Sequence, residues 1–92
     1  MTRAARYSGQ TRGYVVQSVR DLPREDGTTF RHVAYWYGAD HAWGTTSGPL
    51  DYSVAVYPSH GAAVKALDSV YGDYSTWFAR GYRPIELRKV AP

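Results

Sequence analysis

One segment limits the fold of this chain more than any other. Ala63, Val64, Leu67, Val70, Tyr71 and Tyr74 recur at helical spacing, while Lys65 and Asp68 fall on the opposite side. That stripe demands an apolar partner surface, because a lone amphipathic helix cannot bury its own face. Ser59 stands where an N-cap belongs, with Pro58 before it, and Gly72 suits the left-handed residue that closes a helix. The rest of the chain supplies no second long helical stripe. It supplies strands.

Tyr14 to Arg20 is β-branched and aromatic, as a pleated, half-buried surface requires. It ends at Asp21-Leu22-Pro23 and Asp26-Gly27, which favour a loop and a turn. Strand character resumes from Thr28 to Tyr37, with Phe30, Ala34 and Trp36 on one face and Val33, Tyr35 and Tyr37 on the other. These two segments form an antiparallel hairpin. Gly38 to His41 reads as a second turn, returning through a short strand, Ala42 to Thr46. Tyr52 to Tyr57 is either another strand or an extended lead-in to the helix. Ser75 to Arg80 reads as a short helical piece closed by Gly81. Tyr82 to Val90 alternates Ile85 and Leu87 with Glu86 and Arg88, a strand whose Pro84 places it at an edge or a start. The order ββ(β)αβ defines an α+β fold: a small antiparallel sheet of three to four strands with one helix packed on one face.

Ninety-two residues make one domain. We expect residues 1–12 to be a flexible basic arm and 13–92 a single α+β domain. A chain of this size buries roughly 60–65% of its unfolded surface, so stability is on the order of 5–12 kcal/mol. The chain has no cysteine, which excludes disulfides, thiolate metal sites and cysteine nucleophiles. The longest apolar run, Val54 to Tyr57, is strand-sized, so no membrane partner and a cytoplasmic location are expected.

Catalytic groupings are missing. His32, His41 and His60 are the candidates for neutral-pH acid–base work, yet His41, Asp51 and His60 lack the spacing that pre-arranges metal ligands. No nucleophile elbow surrounds a serine, and the Gly44 to Gly48 stretch has no lysine after it to make a phosphate loop. The expectation is a non-enzymatic protein with no catalytic residue, metal or cofactor.

Two features point to binding. The first is aromatic load: nine Tyr and three Trp, clustered among small polar residues at Tyr35, Trp36, Tyr37, Trp43, Tyr52 and Tyr57. Rigid amphipathic rings in that setting resemble a recognition surface, and Tyr35, Tyr37, Trp43, Tyr52 and Tyr57 are the expected contacts with another protein or a second copy. The competing account places Trp36 and Trp43 as a cross-hairpin pair, with Tyr71, Tyr74 and Trp77 anchoring the helix.

The second feature is charge layout within a net +3. Residues 1–32 carry six Arg against three acids, and residues 79–92 carry three Arg and one Lys against one acid. Between them stands Lys65 against four Asp. With the first and last strands side by side, Arg3, Arg6, Arg12, Arg20, Arg83, Arg88 and Lys89 would merge into a basic face for nucleic-acid phosphates. This is the alternative to a protein partner.

The run Tyr57-Pro58-Ser59-His60-Gly61-Ala62-Ala63-Val64-Lys65-Ala66-Leu67, with Trp43 before it and Pro84-Ile85-Glu86-Leu87 after it, resembles small ββαβ accessory proteins of actinobacterial phages and their hosts. The resemblance covers residues 14–90, with Gly61 and the Tyr74 to Gly81 insert as departures. It implies a compact accessory protein, such as a phage-encoded host modulator, and assigns no site residue.

Overall fold

The computed structural model describes residues 4–90, and within them the chain is α+β. Seven elements follow in order: β1 (Ala5–Arg6), β2 (Tyr14–Pro23), β3 (Thr29–Tyr35), β4 (Ala55–Val56), α1 (His60–Tyr71), α2 (Tyr74–Ala79) and β5 (Tyr82–Glu86). One-turn 3-10 helices lie at Ala39–His41 and Leu87–Lys89. β3, β2 and β5 form an antiparallel sheet in that order, and β1 pairs with β4 in a separate two-stranded ribbon.

The first and last long strands are neighbours, but β2 meets its partners in stagger. Tyr14–Ser18 pairs with β5, from Tyr14 opposite Glu86 to Ser18 opposite Tyr82. Gln17–Pro23 pairs with β3, from Gln17 opposite Tyr35 to Pro23 opposite Thr29. β2 therefore continues five residues beyond the register of β5. Pro84 sits on an edge strand opposite Val16. Ladder bonds to β5 come from odd-numbered β2 residues, as Leu87 N–H to Gly13 O (2.9 Å) and Val19 N–H to Gly81 O (3.0 Å) show, so Pro84 faces outward and costs the sheet no bond.

The strand alternation divides the core in two. Val16, Trp36 and Tyr82 face α1 and α2, where they meet Ala63, Leu67 and Trp77. Burying Leu67 completely contributes about 1.5–3 kcal/mol relative to leaving it exposed. Val15, Tyr35 and Leu87 face the other way, against Val54 and Val56. The second sheet face is thus covered by the segment leading into α1, which answers the need of a thin domain for a second layer.

The helices begin and end where the side chains dictate. Ser59 Oγ accepts from Ala62 N–H at 3.1 Å, and Gly72 closes α1 at φ +94°. Asp73 Oδ1 accepts from Thr76 N–H at 2.9 Å and caps α2, while Trp77 Nε1 donates to Asp68 Oδ1 at 2.8 Å and ties α2 to α1.

Several expectations change. The return from Ala42 to Thr46 is a loop bridged to Trp36 at Thr45, because the 3-10 turn and Tyr37 N–H to Gly44 O (3.1 Å) fold it too tightly for a strand. Of the Tyr52–Tyr57 segment, only Ala55–Val56 is a strand, and its partner is β1 rather than the main sheet. Ala5–Arg6, expected in a basic arm, is therefore paired, and Tyr7 N–H adds a bond to Val54 O at 2.9 Å. Finally, the last strand stops at Glu86, where Leu87–Lys89 turns into a 3-10 helix that inserts Leu87 into the core.

Candidate binding groove

The overrun of β2 leaves a groove. Beyond Ser18, the flank of β2 that carried β5 opens toward the α2–β5 turn and the loop that holds Trp43, enclosing a volume of about 680 Å³. β2 lines it from Ser18 to Asp21, and its other walls are Trp43, Thr45 and the Phe78–Arg83 turn. Gly81 sets the junction. Its φ of +88° is a left-handed value, and a Cβ there would lie well inside contact distance of the Val19 carbonyl oxygen. Only glycine lets the turn approach β2 this closely.

The groove walls combine rings and guanidinium groups. The Arg80 guanidinium carbon lies 4.8 Å from the Trp43 ring centroid and 5.1 Å from that of Tyr71. Trp43 meets Tyr71 edge to face at 5.3 Å, yet the residue stays 71% exposed. The Arg83 guanidinium lies 3.3 Å from the Phe78 centroid and donates to the carbonyls of Phe78 (2.9 Å) and Tyr82 (2.7 Å). Such cation–π contacts hold the cations close to apolar surface without neutralising them. Arg20 contributes a third cation from β2. Strand alternation puts Asp21 on the opposite face, across from Arg31 at 3.8 Å.

Beneath the rim lies a rigid base. Trp36 Nε1 and the Tyr71 hydroxyl both donate to Ala42 O, at 2.6 and 2.8 Å, and so fix the loop that presents Trp43. Tyr71 and Tyr82 hydroxyls lie 3.3 Å apart. Burial, reinforced by Tyr82, pushes the Tyr71 phenol well above its ordinary value, so it stays a donor at any neutral pH.

The expected contact residues divide among three places. Trp43 stands on the groove. Tyr37 and Tyr52 border a separate hollow with Arg6, His41 and Ser53, where Tyr52 is 81% exposed. Tyr35 and Tyr57 are each 7% exposed, so these two leave the surface set. Tyr35 packs in the core under Val54 and Val56, and Tyr57 stacks near Trp36 at 6.5 Å. The cross-hairpin pair of tryptophans does not form either, since Trp36 is fully buried and Trp43 is not.

The basic residues are similarly dispersed. Arg3 lies outside the described residues. Arg6 donates to Tyr37 O, to Ser53 O at 3.0 Å and to Asp40 at 2.8 Å, which makes it a staple between β1 and two loops. Arg88 and Lys89 reach Glu86 at 2.5 and 3.9 Å. Arg12 is exposed near β1 and β4, beside a hollow with Gly13 and Pro58. Arg20 and Arg83 alone of the expected set reach the groove together.

Sequence reasoning missed Arg80 and Phe78. The signal was the cluster Phe78-Ala79-Arg80-Gly81-Tyr82-Arg83, whose alternation of ring and cation around one glycine gains meaning only when β5 is set beside Arg20. Among the described residues, no three His, Asp or Glu side chains gather as metal ligands, and no helix is long and apolar enough to cross a membrane. No known protein family, curated protein or solved structure matches this chain.

Proposed function

We propose that this chain is a non-enzymatic binding module of the cytoplasm that grips an acidic segment of another protein in the groove between β2, Trp43 and the α2–β5 turn. The observation that carries this reading is the Arg80 guanidinium packed against both Trp43 and Tyr71, in a groove that Arg20 and Arg83 also line, while the carboxylate of its lining, Asp21, lies 3.8 Å from Arg31. An exposed tryptophan backed by a fixed cation and a rigid floor has the make-up of an interaction hot spot. The resemblance to phage accessory proteins adds a host protein as the kind of partner.

A protein segment is favoured over nucleic acid by the way the cations are spent. Phosphate tracking needs a continuous run of free cations. Here Arg6, Arg88 and Lys89 are engaged with Asp40 and Glu86, and what remains in the groove is short and local.

The test is fluorescence anisotropy with a labelled decapeptide of alternating Glu and Val, its Lys–Val counterpart and a ten-residue oligothymidine. The reading expects the acidic peptide to bind in the micromolar range and the other two to bind at least about tenfold more weakly, a difference of about 1.4 kcal/mol. Tighter binding of oligothymidine, with steep salt dependence, would replace the protein partner with single-stranded nucleic acid.

A further inference from the structure

The groove floor is a strand edge, and this decides how an occupant is held. Odd-numbered β2 residues direct their main-chain N–H and C=O toward the β5 flank, as the Val19 N–H bond to Gly81 O establishes. The same alternation turns the N–H and C=O of Asp21 into the groove, where β5 has already ended. On its other flank this stretch of β2 is held in register by β3 as far as Pro23 opposite Thr29. The edge is thus extended and backed by a paired strand. It is bounded by Gly81 at one end and by Pro23, which has no N–H, at the other.

We infer that the acidic segment binds by strand addition, pairing its main chain with Asp21 on the open flank of β2. This rests on the function proposed above and specifies its geometry. Side chains of an added strand alternate between the two sheet faces. Those on the helix side meet Arg20, Arg80 and the exposed Trp43, so acids belong at every second position. Those on the other side run past Asp21 and Arg31, an ion pair that offers no excess charge. Main-chain pairing supplies affinity and the basic face supplies selection, the division of labour usual in strand addition.

The experiment uses the same Glu–Val decapeptide in two forms, N-methylated at every Val or at every Glu. In an added strand, only alternate residues point their N–H toward the host edge. One methylated form should therefore bind at least about tenfold more weakly while the other stays within about twofold of the parent, with the sensitive set reporting whether the strand runs parallel or antiparallel. Amide exchange at Asp21 should slow at least about tenfold when the parent peptide is added. Equal effects of both methylations, or unchanged Asp21 exchange with a bound peptide, would overturn strand addition and leave the acidic-segment reading standing. Failure of the parent peptide to bind would overturn both. A dimer by sedimentation, with Asp21 already protected in the free protein, would assign the flank to a second copy and overturn the acidic strand.

Discussion

The two halves of β2 share one strand and lead different lives. From Tyr14 to Ser18, β5 lies on one flank, while Tyr57 and Trp36 bond to Tyr14 and Val16 on the other. Val15 and Val16 are completely buried on opposite faces. From Arg20 to Pro23, one flank is open and all four residues are exposed or half-buried. A sheet edge is a liability when long and apolar, and this one is short, charged and ended by proline. The difference teaches that a strand can be anchored at one end to be presented at the other. In the proposed reading, the fixed half supplies the rigidity that would keep the entropic cost of binding at the exposed half low.

The comparison breaks most visibly at the tryptophans. Trp36→Ala removes a fully buried ring within reach of Tyr57, Tyr71 and Tyr82, and should destabilise the domain by about 3–5 kcal/mol in a urea titration. Trp43→Ala should cost less than about 1 kcal/mol by the same measurement, since its ring is largely solvated, yet weaken the acidic peptide at least about tenfold. Equal destabilisation by both would erase the distinction between the anchored and the presented end.

Gly81→Ala tests the junction between them. Its positive φ and the nearby Val19 carbonyl should make this substitution cost about 1–3 kcal/mol, while moving the α2–β5 turn away from β2 and weakening the peptide. Arg80→Ala sharpens the comparison further. The exposed cation–π contacts contribute about 0.5–1 kcal/mol each, so thermal stability should fall slightly while acidic-peptide affinity falls about tenfold.

The smallest effect concerns the α2 cap. Hydrogen bonds from the Thr76 hydroxyl and N–H, then from the Ser75 hydroxyl, hold the Asp73 carboxyl below its ordinary 3.8. Its folded value is depressed, so the contribution is complete above pH 3.8 and is lost as pH falls through the lowered value. Amide exchange at Thr76 and Trp77 should quicken over that acid range, before β2 and β3 respond.

Much of the fold was legible in the residues themselves. Helix α1 announced both its caps, Ser59 and Gly72, because cap chemistry is local. The β2–β3 hairpin and the edge position of β5 followed from alternation and from Pro84. β1 was illegible, since two residues carry no periodicity and their pairing with Ala55–Val56 is decided across some fifty positions of chain. The residues alone end this strand at Arg20, because Pro23 cannot donate to a ladder. Pro23 faces the flank that β5 has left, however, so no ladder bond is lost and the pairing with β3 continues. That same overrun creates the groove, which is why the candidate site was harder to foresee than the sheet. Tyrosine content alone did not separate Tyr35 and Tyr57, which line the core, from Tyr52, which faces solvent. A tyrosine suits both settings.

The most direct test of the account is a chemical-shift map of the protein titrated with the Glu–Val decapeptide. The account predicts shifts concentrated at the amides of Val19 to Leu22, the Trp43 indole and the Phe78 to Arg83 turn. Shifts gathered instead around Arg6, Tyr37 and Tyr52, or none at all, would contradict it.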